Sequence, residues 1–549
     1  MTNKELADLM FPNVTKTIED YEKEYPERNL PEGAVVSRYA PSPTGFVHMG
    51  NMLSCFIENK LPQQTKGVFY LRIEDTDQKR EVESGIENIV NAINMLGLTY
   101  HEGVMGTDVQ KGDYGPYIQS HRKEIYDTFA KYLIENGMAY PCFCNAEELE
   151  ATREKQKNTK ARIGYYGQYA KCRNIDNEER ARRIKEGQPY TIRLKSTGNY
   201  NRKIVFKDLV KGKVSFPEND QDMVLIKSDG IPVYHFAHVV DDHLMRTTHV
   251  LRGEDWLSSV PVHIELFQKF GFKLPQYAHL GLIMIIDSNG VKRKISKRKD
   301  QDFTVESFHR RGFPTVALQE YLMTIANSNF EGWRMANPDK SLDEFEFSFS
   351  KVGSCPLFDT AKLINISKNC ISKMKASDLY DNLLNWANEY DKDFYDVLVK
   401  DKDLSIAVLN IEREQKKPRK DYACYSDIKT HTWYMFEEYF GTYEKQYEWS
   451  NINDINEIKL ILNDYIDNYY SAEDDKDTWF DKMKQLSKKY GYAESIKEYK
   501  ESPDNFKGNI TDIATVIRVA VTTRSMTPDL YEILKILGKD KIKERIQLL

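Results

Sequence analysis

Long hydrophobic runs are missing from this chain of 549 residues, and no stretch approaches the roughly 20 apolar residues that cross a bilayer. Residues 1–20 lack the basic and apolar regions of a secretory signal. Cysteine is scarce: seven in all, an odd number. Without a secretion signal this points to reduced thiols and a cytoplasmic protein, and it argues against a disulfide framework. Excess charge of one sign is missing too. A net charge of −6 offers no global attraction for a nucleic acid, so any RNA contact must come from local basic patches. No internal repeat or extended low-complexity segment is present.

What is there suits a soluble, multi-domain protein, with 40% hydrophobic and 30% charged residues. The length is too great for one core and predicts about three to five compact units. Residues 37–51 are the most informative stretch. Ala34, Val35, Val36 and Tyr39 form a short apolar strand. Pro41, Pro43 and Gly45 break it, and a helical pattern resumes over 51–59. A strand, a tight turn and a helix N-terminus beside His48 would aim backbone N–H groups and an imidazole at an anion such as a phosphate. Alone, such a turn is only suggestive. Further on, residues 292–299 carry six cations in eight positions, with Ile295 and Ser296 embedded among them. A nuclear address or a nonspecific RNA patch has the same density of charge.

Together, His48-Met49-Gly50-Asn51 and Lys294-Ile295-Ser296-Lys297-Arg298 resemble the HIGH and KMSKS signatures of class I aminoacyl-tRNA synthetases. The residues around them resemble the glutamyl-tRNA synthetase family of bacterial type. These include Arg38-Tyr39-Ala40-Pro41-Ser42-Pro43-Thr44-Gly45, Arg72-Ile73-Glu74-Asp75-Thr76-Asp77, Tyr234-His235-Phe236-Ala237, Val239-Val240-Asp241-Asp242-His243 and Arg252-Gly253-Glu254-Asp255. The likeness runs over about 35–310 and returns at 517–522 and 528–534.

The periodicity predicts β-α-β-α over 34–102. Residues 68–73 read as a near-continuous apolar strand of a covered parallel sheet. Val82, Ile86, Ile89, Val90, Ile93 and Leu96 share one helix face. A charged, partly β-rich stretch interrupts this pattern, and a second half resumes at Met223-Val224-Leu225-Ile226. From about residue 303 the chain reads as helical. The expected fold is therefore α/β: a Rossmann-type doubly wound catalytic domain with an α+β insertion, followed by an all-α C-terminal anticodon-binding region. With the resemblance, the division becomes an N-terminal extension (1–33), a first Rossmann half (34–114), an acceptor-binding insertion (115–216) and a second half with the KMSKS-like loop (217–302). A helical stem-contact domain (303–395) and an anticodon-binding domain (396–549) follow.

The resemblance implies that ATP and L-glutamate are joined as an adenylate, which the terminal ribose of tRNA(Glu) then attacks. Such chemistry needs positioning and charge neutralisation, with no covalent enzyme intermediate. His48, Lys294 and Lys297 are the expected catalytic residues. Gly50, Asn51, Trp256 and Ser296 join them around ATP, which is expected with Mg²⁺. The lysine loop is expected to be a mobile lid. Glutamate carries two carboxylates and an ammonium. Arg38 and Arg252 are the expected carboxylate partners, Glu74 the ammonium partner, and Ser42 and Tyr234 complete the cup. His238 is placed in the same pocket, as a departure from family members that carry a small or amide residue there. Arg252 is expected to discriminate glutamate from glutamine. Asp77 and Arg80 match positions near the tRNA acceptor end.

Cys142, Cys144 and Cys172 resemble the zinc knuckle of some family members. The family places a tyrosine four residues before the last cysteine, where this chain has Gln168. Tyr169 is taken as the fourth ligand; two buried structural thiols are the competing reading. Helices in the C-terminal region would read unstacked anticodon bases, with Arg419 in the basic run at 416–420 as the candidate contact. A monomer with no membrane partner is expected. Two alternatives stay open: an enzyme that also glutamylates tRNA(Gln), and a catalytically silent tRNA-binding paralogue.

Overall fold

The computed structural model describes residues 1–77, 82–295, 299–353 and 356–549. The chain forms two compact units. The first comprises Met1–Ser307 and Gln319–Asp359; the second comprises Phe308–Leu318 and Thr360–Leu549.

The first unit begins with two capped helices, α1 (Asn3–Met10) and α2 (Ile18–Glu24). Thr2 and Thr17 form reciprocal N-caps with Glu5 and Asp20. Leu6, Ala7 and Met10 are the buried face of α1. Then come β1 (Val36–Tyr39), α3 (Met49–Thr65), β2 (Val68–Leu71), α4 (Gly85–Met95), β3 (Glu102–Gly106) and β4 (Val109–Lys111). Strands β1, β2 and β3 are parallel neighbours, and β4 closes the edge antiparallel. All four residues of β1 are buried. That burial on both faces explains its continuous apolar reading.

The insertion contributes α5 (Lys123–Glu135), β5 (Ala139–Cys142), α6 (Ala146–Asn158), α7 (Asn177–Lys185), β6 (Thr191–Leu194), β7 (Lys203–Asp208) and β8 (Gly212–Pro217). Next are β9 (Val224–Ile226), α8 (Tyr234–Leu244), β10 (His249–Gly253), α9 (Val260–Phe270), β11 (Gln276–Leu280), β12 (Met284–Ile286) and β13 (Lys292–Lys294). Three strands sit differently from the sequence reading. Strand β9, read as the start of the second half, pairs antiparallel with β6 in the sheet β5-β6-β9. The β7–β8 hairpin instead extends the second-half sheet, because Asp208 pairs with Tyr277 of β11. Short strands carry no sequence record of their partners.

The two parallel halves meet where β1 lies beside β10. The Thr248 N–H donates to the Val36 carbonyl at 3.0 Å, and the Val36 N–H donates to Thr248 Oγ1 at 2.8 Å. Strand order therefore reverses between β1 and β10, which places a crevice at their carboxyl ends.

The second unit is built from helices around one apolar core that includes Leu379, Leu383, Phe394, Ile461, Leu486, Ile517 and Ile533. Asp391, Asp401, Asp454, Asp475, Asn509 and Asp529 each cap a helix N-terminus with a side-chain oxygen. The last helix, Leu530–Gln547, kinks at Gly538, which has φ 73°.

Candidate active site

The crevice collects residues that are far apart in the chain. Arg38 comes from β1, Glu74 from just beyond β2, Tyr234 and His238 from successive turns of one face of α8, and Arg252 from β10. Arg38 donates from Nη1 to the Leu251 carbonyl at 3.4 Å, which sets it next to Arg252. All five are buried or half-buried.

Asp242 holds the anionic centre of this cluster. Arg38 Nε lies 3.2 Å from one of its oxygens, and Arg72 Nη1 donates to that oxygen at 2.6 Å. Burial alone would raise the Asp242 carboxyl, but Arg38 and Arg72 hold it well below the ordinary carboxylate range. Arg72 also donates to Glu74 at 2.9 Å. Burial still leaves Glu74 raised, against the pull of Arg72 and Arg38. Glu58, on α3, lies 3.7 Å from Arg38, and burial pushes its carboxyl up to about 8. It is therefore neutral at pH 7. Asp241 takes the next arginine outward, accepting from Arg122 Nε at 2.7 Å and from the Tyr126 hydroxyl at 2.8 Å.

Arg252 is surrounded differently. It donates to the Tyr234 hydroxyl at 2.9 Å and to His279 Nε2 at 3.1 Å, with His263 Nδ1 at 3.3 Å. His238 stacks beneath the Tyr234 ring, with centroids 5.4 Å apart. Its Nδ1 lies 2.7 Å from Asp242, at an angle that makes no directed hydrogen bond. Burial outweighs Asp242 and lowers His238 to about 4, so the ring is neutral. Its position is under the Tyr234 ring. Trp256 covers the other end of Tyr234, with ring centroids 4.3 Å apart.

His48 caps α3: its Nδ1 accepts the Asn51 N–H at 3.3 Å. A neutral imidazole that accepts at Nδ1 carries its proton at Nε2. A Cβ on Gly50 would come within 2.9 Å of the His48 ring, so a larger residue here would displace the imidazole from its place against the helix. The same position approaches Ile283 to 4.0 Å. Ile283 accepts the Ile295 N–H at 3.5 Å, and His48 bridges to Thr304. The first of these bonds ties the end of β13 to the chain just before β12, and the second ties the His48 turn to Thr304. Lys294 is exposed at the end of β13, opposite Met284 of β12. Ser296, Lys297 and Arg80 lie outside the described residues. Ser42 is half-buried in the turn, where its carbonyl accepts the Thr44 N–H at 2.8 Å.

Asp77 is half-buried next to Thr76, whose carbonyl accepts Lys227 Nζ at 3.1 Å. In the second unit the Arg419 guanidinium is paired with Asp421 and, at 3.2 Å, with Glu412.

The cysteine cluster forms as expected, with one correction. The sulfurs of Cys142, Cys144 and Cys172 all lie within 4.8 Å of one another. The oxygen beside them belongs to Tyr165, which lies 3.3 Å from both the Cys142 and Cys144 sulfurs. Tyr169 instead packs edge-on against Tyr166, centroids 5.5 Å apart. The short turn Gly167–Tyr169 separates the two tyrosines, while Tyr165 is held at a bend, its N–H donating to the Gln221 side chain and its carbonyl accepting the Asp222 N–H. The Cys144 and Cys172 thiols together pull the Cys142 thiol well below its ordinary value.

Arg72, Asp208, Asp241, Asp242, His263 and His279 carry interactions that the sequence reading left unassigned. For Arg72 a signal existed. It stands two residues before Glu74, just beyond β2.

Residues 34–364 match the family of class I tRNA synthetases (E and Q), catalytic domain. Residues 419–549 match an anticodon-binding domain. The chain is 46% identical to the glutamate–tRNA ligase of Clostridium perfringens over 548 residues, covering 100% of both. It is 47% identical to that of Acetivibrio thermocellus, again with 100% of both covered. The crystal structure of a glutamate tRNA ligase from Elizabethkingia meningosepticum, in complex with its amino acid, superposes with a TM-score of 0.73. That match covers 94% of this chain and 98% of that one at 24% identity, a likeness of fold.

Proposed function

This chain belongs to the class I tRNA synthetases for glutamate and glutamine, and we propose on that premise that it is a glutamate–tRNA ligase. It activates L-glutamate with ATP, releases pyrophosphate, and transfers the glutamyl group to the terminal ribose of tRNA(Glu). The observation that supports this reading most is the convergence of Arg38 and Arg252 at the carboxyl ends of β1 and β10.

The residues divide the work. Arg252 grips one glutamate carboxylate, with Tyr234 beside it. Arg38, held by Asp242, presents positive charge near the other, and Glu74 faces the ammonium; Ser42 and His238 complete the walls. His48 offers its Nε2 proton to a phosphate oxygen at the N-terminus of α3, where backbone N–H groups and the helix dipole also favour an anion. Gly50 and Asn51 line that turn, and Trp256 closes the pocket beside Tyr234. Lys294, Ser296 and Lys297 reach the departing pyrophosphate and neutralise the charge that develops there. Mg²⁺ bound with ATP would help neutralise the same charge. Asp77, Arg80 and Arg419 are assigned to tRNA. The reaction is placed in the cytoplasm and in a monomer.

The cysteine cluster fits a structural zinc: three thiols and a phenol oxygen offer four donors of suitable type around one point. Cys142, Cys144, Cys172 and Tyr165 would hold it and brace the insertion.

The test is a charging assay with purified protein, glutamate, ATP and isolated tRNA species. Glutamylation of tRNA(Glu) is expected; no charging of any tRNA ends the proposal. Charging of tRNA(Gln) at a comparable rate would establish the broader substrate range.

A further inference from the structure

Arg252 is the one pocket arginine held entirely by neutral acceptors. Arg38 and Arg72 share the Asp242 carboxylate, whereas no carboxylate among the described residues lies within ion-pair distance of Arg252. Its Nε donates to His279 Nε2 at 3.1 Å, one terminal nitrogen donates to Tyr234 at 2.9 Å, and the other faces His263 Nδ1 at 3.3 Å. A guanidinium has five N–H groups. Three are engaged, which leaves one on each terminal nitrogen.

Behind this arginine the chain of bonds has one consistent proton arrangement. Arg252 can only donate, so His279 Nε2 must accept. The His279 proton then sits on Nδ1, which lies 2.6 Å from Asp208 Oδ2. Asp208 is itself anchored at Oδ1 by the N–H groups of Val210 and Lys211, at 2.9 and 2.8 Å. His263 accepts at Nδ1, so its Nε2 proton points to His235 Nδ1 at 2.9 Å. His279 and His263 are 0% exposed and Asp208 is 1% exposed.

We infer that Asp208 and His279 are positioning residues that lock the Arg252 guanidinium in place by fixing a histidine tautomer, leaving its charge uncompensated for the substrate carboxylate. A carboxylate in direct contact would hold Arg252 equally well, but it would also compete with glutamate for the same charge. Neutral imidazole acceptors orient the guanidinium without that competition. Burial keeps His279 and His263 neutral, which preserves their role as acceptors.

The inference rests on the reading of Arg252 as the carboxylate grip, and the experiment separates the two. Asp208→Asn keeps side-chain volume and, with its oxygen still capping Val210 and Lys211, turns an N–H toward His279. The histidine must then protonate Nε2 and set donor against donor at Arg252. In tRNA-charging kinetics on the full chain, Asp208→Asn is expected to raise the KM for glutamate about tenfold, with kcat and the KM for ATP within about twofold. His279→Leu should give a similar loss. His279→Gln, which has a carbonyl to accept and an amide to donate, should recover most of it. A KM for glutamate unchanged in either folded variant, or one that rises in step with the KM for ATP, overturns the relay. An equal loss in His279→Gln and His279→Leu does so too. Arg252→Lys is the control. If it leaves the KM for glutamate unchanged, the carboxylate reading itself fails. If it raises that KM while Asp208→Asn does not, only the relay fails.

Discussion

Arg38 in the first unit and Arg545 in the second are buried almost equally, at 3% and 2% exposed, yet they are compensated in different ways. Arg38 is paired with the Asp242 carboxylate at 3.2 Å, and the neutral Glu58 carboxyl lies 3.7 Å away. Arg545 donates instead to the carbonyls of Tyr434 and Val521, at 2.8 and 2.6 Å, and lies 3.7 Å above the Phe440 ring; its carboxylate partner among the described residues, Glu437, is exposed. Val521 belongs to the last turn of its helix, where carbonyls have no intrahelical partner. Arg413 does the same for Leu409 and Ile371. The helical unit uses buried cations to finish helix ends around an apolar core. The catalytic unit keeps mutually dependent charges together, an arrangement that rarely maximises stability.

That contrast can be broken most directly at its hub. Asp242→Ala would strand Arg38 and Arg72 without their shared carboxylate, and a loss of about 3–5 kcal/mol is expected in denaturant unfolding. Arg545→Met should cost less, about 1–3 kcal/mol, because it leaves unpaired carbonyls and no stranded buried charge. Equal costs would show that the two units do not differ as described.

Catalysis sharpens the comparison next. His48→Ala and Lys297→Ala should each lower the charging rate by roughly 10²–10³-fold, as removal of a donor to a developing anion does elsewhere. Thermal unfolding of the second unit should not move. A full rate in Lys297→Ala would remove that lysine from the mechanism.

Acid is the third lever. Burial lowers His235 and His238 to about 4, below the ordinary 6.5, so both are neutral in the folded chain. The unfolded chain binds more protons below pH 6.5. Stability should therefore fall with decreasing pH between about 6.5 and 4, by about 1.4 kcal/mol per pH unit for each such histidine. Hydrogen exchange should place this loss in the first unit. The second carries only His309 and His431, neither of them buried.

The smallest expected effect concerns the insertion. Metal analysis of protein purified without added zinc should find about one zinc per chain, lost in Cys144→Ser and weakened in Tyr165→Phe. Tyr169→Phe should retain it. Absence of zinc from the unaltered protein would leave Cys142, Cys144 and Cys172 as a buried thiol cluster.

Much of the molecule was legible beforehand, for reasons tied to particular residues. The His48 turn reads locally because proline, glycine and a helix cap act within a few positions of one another. Val68 to Leu71 reads as a covered parallel strand because every residue is apolar. Tyr165 was missed because a three-residue turn decides which tyrosine faces the thiols. Strand β9 was misplaced because Val224 to Ile226 would suit either sheet.

Sequence alone determined the family and the α/β and all-α regions, since motif resemblance and hydrophobic periodicity carry these directly. Only the tertiary structure decided that Asp242 serves two arginines, that His279 and Asp208 stand behind Arg252, and that Gly50 must make room for an imidazole. Those contacts join strands and helices distant in the chain. Whether a buried charge is satisfied, and by what, depends on neighbours brought together by folding and not on adjacent residues.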